Sequence, residues 1–402
     1  MGDVATPADI RRERTYLHAH RSLMRAGLSL TLPFVWVFLF AYTLNVTTNL
    51  DKAILYTLIM YSISQVVMML LTPSSAAHLR RGVRTAMVFG AILASAALIV
   101  LGAYFVGNFS QPFGWGIALF ACLLGAYRAL YWIPYRLHAV EVRGVANSLY
   151  EVFISLMPAF AGVTIATSVW GPIRLLFGAG VLILLSIVPI FFLADTREKF
   201  SWRYAETYGK LFDERYRLLS GRSILDGVQS AALFLLWPLA VFLIVGRSYL
   251  IMGFILSASL IIMLLLRSLY KKFWGSFVGT KGQKGSLALD ILFSVSGWVL
   301  RVVAGSPFMV VFADTYSYVS APRGAPDPLT CEHPADSGSY LDEYTALQEI
   351  GLGFGRLIMC AFTAVMIITG PLPVALALSL LVAGCSAGVS AYLAHKVRTA
   401  AF

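Results

Sequence analysis

The stretch LDEYTALQEIGLGFGRLIMC, Leu341 to Cys360, opens an apolar run that continues to Thr369 and carries Glu349 and Arg356 inside it. The run is longer than the roughly 20 mostly apolar residues that a helix needs to cross the hydrocarbon of a bilayer. Ionised groups at mid-bilayer cost about 2.5 to 3.5 kcal/mol each on insertion scales. Two of them in one span must therefore be paired, hydrated or in use.

Working outward, the same kind of run recurs along the chain. Apolar stretches of membrane length lie at about 26–46, 53–72, 84–106, 113–135, 145–167, 174–194, 222–245, 248–267, 285–304, 306–322, 343–369 and 372–394. The chain has 402 residues, of which 58% are hydrophobic and 13% charged, more apolar surface than a soluble domain of this size can bury. The reading is an all-α, polytopic membrane protein with 12 spans and no independent soluble domain.

The formal net charge of +11 raises the question of nucleic acid, and its placement answers it. Lys52, Arg174 and Arg247 fall in loops on one side, and Arg128, Arg301 and Arg356 lie within spans. All the other lysines and arginines fall in loops and termini on the opposite side, the pattern that marks the cytoplasmic face. Both termini are expected there, nucleic acid is excluded as a partner, and membrane lipid accounts for the basic excess. The four cysteines, Cys122, Cys331, Cys360 and Cys385, read as small hydrophobes or loop residues, with no disulfide. Cys331 and His333 lie in a proline-rich loop at irregular spacing, so no metal site and no cofactor are expected.

The chain divides into a cytoplasmic N-terminal segment (1–25), a six-helix bundle (26–194), a cytoplasmic linker (195–221), a second six-helix bundle (222–394) and a tail (395–402). In the linker Phe200, Tyr204, Tyr208, Leu211, Phe212 and Leu219 recur at helical spacing among basic residues, which predicts an amphipathic helix lying in the membrane interface. The bundles read as repeats. Gly82 and Arg84 precede the third span as Gly282 and Lys284 precede the ninth. YEVFISLMPAF (150–160) aligns with QEIGLGFGRLI (348–358), superposing Glu151 on Glu349.

Six plus six helices, a charged central linker, cytoplasmic termini and a basic glycine turn between the second and third spans resemble the major facilitator superfamily over essentially the whole chain. The resemblance implies two six-helix halves around a central cavity that opens alternately to each side. Its signature turn reads roughly Gly-x-x-x-Asp-Arg-x-Gly-x-Arg/Lys. SAAHLRRGVR keeps Arg80, Gly82 and Arg84 but has Ser75 and Leu79 where Gly and Asp belong; GSFVGTKGQK keeps Gly275, Gly282 and Lys284 and also lacks the acid. Asp290 is the candidate to meet these cations instead.

Charges inside the spans mark the candidate site. Arg128 and Glu151 lie about 10 to 13 Å from the cytoplasmic boundary and are expected to pair. Asp314 and Glu349 occupy the equivalent places in the second half, where two facing acids would not both ionise, the chemistry a proton-coupled carrier uses. Arg356, two turns above Glu349, reads as the group that neutralises Asp314, as an anion-binding guanidinium, or as half of a permanent Asp314 salt bridge. Tyr131 and Tyr316 line a polar cavity or form an interfacial belt. Asp226 reads as a structural cap and Arg301 as a snorkelling residue at the outer end of its helix. Pro33, Pro158 and Pro238 are expected to bend their helices.

The function expected is secondary active transport of a small solute by alternating access, coupled to protons, by a monomer. No phosphate-binding Gly-x-x-x-x-Gly-Lys-Ser/Thr loop occurs, which removes ATP as the energy source. A non-transporting sensor or binding protein of transporter ancestry is the alternative, kept open by the eroded signature turn. An intramembrane enzyme is disfavoured because all six histidines, His18, His20, His78, His138, His333 and His395, fall at or outside the cytoplasmic boundary.

Overall fold

The computed structural model describes residues 7–107, 114–141, 148–193, 195, 200–273, 287–320 and 341–400, and every regular element among them is helical. The first half comprises α1 (Pro7–Thr47), α2 (Leu50–His78), α3 (Val83–Gly107), α4 (Trp115–Glu141), α5 (Ser148–Ala166), α6 (Gly171–Leu185) and the short α7 (Ile187–Ile190). The linker holds α8 (Tyr204–Leu211). The second half comprises α9 (Arg217–Ala231), α10 (Trp237–Ile244), α11 (Tyr249–Phe273), α12 (Leu287–Val303), α13 (Pro307–Ser320), α14 (Leu341–Thr369) and α15 (Leu372–Ala400). Each apolar stretch of the sequence forms helix. Among the described residues nine segments are long and apolar enough to cross a membrane, and α5 is a shorter apolar helix.

Proline decides where these helices break. Pro189 has no N–H for the Leu185 carbonyl, and the helix divides there into α6 and α7. Before Pro238 the turn widens to a π-helix, Ala232–Leu236, which joins α9 to α10. Pro33 and Pro158, by contrast, sit inside the unbroken helices α1 and α5. Asn49 caps α2 by accepting the Lys52 N–H at 3.0 Å, with Asp51 in the first turn favouring the helix dipole.

Within the first half α3 packs on α4 and α6, α2 on α4, and α1 on α6; within the second, α9 packs on α14 and α15, α12 on α15 and α13, and α11 on α13. The halves meet along α2–α14, α5–α11 and α1–α10. Small residues permit this approach. A Cβ on Gly162 of α5 would stand 3.2 Å from the Gly253 Cα of α11, so two backbones touch where any larger side chain would part the halves. Aromatic rings fill the rest of the seam, Phe38 of α1 against Tyr249 of α11 and Phe40 against Phe242 of α10.

Candidate polar site at the seam between the halves

The glycines of GLGFGR place Arg356. Gly355 lies against the Ile224 carbonyl and Gly227 of α9, and Gly353 against Met69 of α2, so α14 is wedged between one helix of each half. Arg356, 3% exposed, fills that wedge. Its Nε donates to Ser230 Oγ of α9 at 2.7 Å and its Nη1 to Gln65 Oε1 of α2 at 3.0 Å, with Met68 Sδ at 3.6 Å. Tyr61 is one turn from Gln65 on the same face of α2. Its hydroxyl is buried beside the guanidinium of Arg128, finds no acceptor among the described residues, and lies within electrostatic reach of Arg356. Arg128 of α4 has a buried Nε without a hydrogen-bond partner, and no carboxylate among the described residues pairs with it. Two guanidiniums and a phenol thus gather where the halves meet.

The acids are distributed otherwise than the sequence implied. Glu151 does not pair with Arg128: Arg25 of α1 takes it with two bonds, 2.8 and 3.2 Å, because α1 rather than α4 is the neighbour of α5. Asp314 does not meet Arg356 or face Glu349. Its Oδ1 accepts Arg301 Nη2 at 3.1 Å, Arg301 Nε at 3.3 Å and the indole N–H of Trp237 at 3.0 Å. Arg301 is buried between Trp298 and Trp237, 4.8 and 5.6 Å from the ring centroids, and does not snorkel. α13 packs on α12, α11 and α10, whereas Glu349 is buried on α14 among helices of the opposite flank. Asp226 is no cap: it sits in the third turn of α9 and accepts Ser390 Oγ of α15 at 2.5 Å.

Neither tyrosine lines a central cavity. Tyr131 is 2% exposed within α4, and its hydroxyl meets His20 Nε2 of α1 at 2.8 Å. His20 Nδ1 must donate to the Ser186 carbonyl at 2.8 Å, so in the neutral ring Nε2 accepts from Tyr131. His20 is fully buried, because α1 begins at Pro7, well before the apolar stretch that opens near residue 26. Tyr316 shares a hydrogen bond of 2.8 Å with Ser296 of α12.

At the signature turn Asp195, not Asp290, supplies the missing acid. Its Oδ1 accepts the Arg84 backbone N–H at 3.1 Å at the start of α3, and its carboxylate occupies the space a Cβ on Gly82 would need. Gly82 also has φ +139°, a conformation that L side chains rarely adopt. Arg80 donates to the Phe200 carbonyl, and Arg84 Nη1 to that of Phe191 at 3.3 Å. Gly275, Gly282 and Lys284 lie outside the described residues, as do Cys331 and His333. The linker forms the helix α8 and is tied to both halves. Tyr204 and Tyr208 donate to the Leu70 and Met69 carbonyls of α2, and Ser201 donates to Glu343 of α14 through both its N–H and its hydroxyl.

Among the described residues Tyr61, Gln65 and Arg356 are buried where the halves meet. Open space lies elsewhere. A polar cavity of ≈ 190 Å³ between α9, α12 and α15 brings Asp290 together with Arg222 and Asp226. An apolar groove of ≈ 550 Å³ runs between α2 and α14. Sequence reasoning missed Tyr61, Gln65, Ser230 and His20. For the two on α2 the signal was present as polar side chains four residues apart in an otherwise apolar span.

No protein-family model matches the chain, and no curated protein matches it. Solved structures do. A peptide transporter POT shares 12% identity at a TM-score of 0.60, covering 100% of this chain and 96% of that one. A bacterial homologue of the human drug peptide transporters PepT1 and PepT2 shares 10% identity at a TM-score of 0.63, with coverages of 97% and 98%. POT in complex with sulfate shares 13% at 0.61, covering 100% and 96%. The chain shares the fold of these transporters over its whole length.

Proposed function

We propose that this chain is a secondary active carrier that moves a small anionic or zwitterionic solute by alternating access, driven by protons. The observation that carries the reading is how polar contacts divide between the halves. Arg25–Glu151 lies within the first half, and Arg301–Asp314 and Arg222–Asp226 lie within the second. Among the described residues no ion pair between side chains crosses the seam. The bonds that cross it include no carboxylate and are exchangeable: Arg356 to Gln65 and Met68, and the Ala159 N–H to Ser257 Oγ at 2.8 Å. Two bodies with their charges locked internally and weak bonds between them suit rocking against one another.

The solute's charge follows from Arg128 and Arg356, which present guanidinium donors and the Tyr61 hydroxyl with no carboxylate on Arg128 to offset them. Solved neighbours of the same fold were captured with alafosfalin and with sulfate, which accords with an anion-accepting centre. Asp314 beside Arg301 and the buried Glu349 are the groups proposed to carry the proton. Asp195 standing in for the missing acid of the turn removes the chief reason for reading the chain as a non-transporting relic. The test is uptake of labelled organic anions into proteoliposomes under an imposed inward proton gradient. Wild-type protein should accumulate a solute and Arg356→Gln should not. Absence of gradient-dependent uptake across a panel of carboxylates, phosphonates and amino acids would refute the proposal.

A further inference from the structure

The groove between α2 and α14 stands at the seam, directly beside the cationic centre. Its wall on α2 runs from Leu58 to Val67, about 14 Å along the helix axis, and on α14 from Leu357 to Ala364. Ile59 and Val66 are exposed on its rim, so it opens toward lipid. Its floor is different. Ser62 lies there next in sequence to Tyr61, and Cys360 faces Ser62 within electrostatic reach of Arg356, one turn away on the same face of α14. The volume of ≈ 550 Å³ falls in the range of about 300–1,000 Å³ typical of small-molecule sites.

We infer that the solute is an anionic amphiphile: its head binds at Arg356, Arg128 and Tyr61 while a single alkyl chain lies in the α2–α14 groove, in contact with the bilayer. This deepens the carrier reading and rests on it for the head-group site. Two independent features converge. The buried Tyr61 hydroxyl has only the donor-only guanidinium of Arg128 beside it and finds no acceptor among the described residues. The groove beside it is apolar along its length except for Ser62 and Cys360 on its floor, the side nearest Tyr61 and Arg356 in sequence. A wholly polar solute has no use for such a wall, and a neutral lipid has none for a buried Arg356 beside a half-buried Arg128.

Photolabelling tests this without requiring transport. Full-length protein in phosphatidylcholine nanodiscs is irradiated with a long-chain alkyl sulfonate bearing a diazirine at its far end, or with the neutral alcohol of the same chain and tag. The sulfonate should label the Leu58–Val67 and Leu357–Ala364 segments well above the alcohol, and untagged sulfonate should compete. Ala361→Trp should block labelling. Arg356→Gln should weaken it roughly tenfold, the worth of one charge-assisted hydrogen bond, with Arg128→Gln as the second variant should the first fail to fold. Equal labelling by sulfonate and alcohol, or labelling indifferent to both arginine substitutions, overturns the inference and leaves a groove merely bathed in lipid. Uptake of short anions without groove labelling refutes the amphiphile and spares the carrier. Labelling without uptake of any solute refutes the carrier and retains the site.

Discussion

Replacing Arg301 by glutamine removes the cation that faces Asp314 and leaves the carboxylate, 10% exposed, with only the Trp237 N–H among its three observed donors. Removing one partner of a buried ion pair typically costs about 3–5 kcal/mol, because the survivor remains desolvated. Loss of the cation–π contacts with Trp298 and Trp237 adds about 1 kcal/mol or more. Arg301→Gln alone is therefore expected to destabilise by about 4 kcal/mol. Adding Asp314→Asn removes the stranded charge and returns an amide pair able to bond, so the double variant should recover about 2–3 kcal/mol of that loss, within the range of measured coupling between contacting residues. Equilibrium unfolding in mixed micelles, followed by tryptophan fluorescence, measures all four corners of the cycle. The same double variant separates structure from coupling: if Asp314 carries the proton, it should fold and exchange solute across a membrane yet fail to accumulate it against a gradient. Additive effects of the two substitutions would refute the pairing, and gradient-driven accumulation by the double variant would refute a proton role for Asp314.

Gly355→Val drives a side chain into the Ile224 carbonyl and Gly227 of α9, and should destabilise by about 3 kcal/mol or prevent folding, read as lost monodisperse protein on size exclusion. Asp195→Ala removes the acceptor at the start of α3 and should cost about 1 kcal/mol, as loss of a helix cap does, while hydrogen exchange at Val83–Thr85 rises. Glu343→Gln weakens the tie from α14 to Ser201. Protease cutting at residues 200–211 should then accelerate, and unchanged cutting would show that the linker is held by Tyr204 and Tyr208 alone. Tyr131→Phe strips His20 Nε2 of its hydroxyl and should cost about 1 kcal/mol in unfolding, with little effect on solute binding.

The helices were legible because lipid imposes a strong rule: each span must satisfy its backbone internally and turn apolar side chains outward. The kink before Pro238 followed from a missing N–H. The division at Pro189 obeyed the same rule, yet it fell inside an apolar run where hydropathy carries no mark of it. The partners of the charges were not legible, because pairing depends on which helices touch. Glu151 reads as the mate of Arg128 when neighbours in sequence are taken as neighbours in space, but α5 leans on α1 and finds Arg25. Asp195 escaped notice for a related reason: it lies more than a hundred residues from the turn whose missing acid it replaces.

The positions that did emerge from sequence share one property. Arg356, Arg128 and Asp314 are charged residues inside apolar runs of membrane length, and that placement alone flags them. Burial does not say whether a charge is spent on holding the fold or kept for a ligand. The structure separates the two by the hydrogen-bond account. Arg301 and Asp314 satisfy each other, with Trp237 as a third member and both in one half, so Arg301 is not open to an anionic solute even where Asp314 is the carboxylate proposed to take up the proton. Arg128 Nε and the Tyr61 O–H find no acceptor among the described residues at the boundary between halves, and among the partners of Arg356 are a serine and an amide that a carboxylate, sulfonate or phosphonate could displace. An anion arriving at that boundary would bind donors of both halves at once, since Arg128 stands on one and Arg356 on the other. Its binding would then couple to their relative movement, which is what a carrier requires of its substrate.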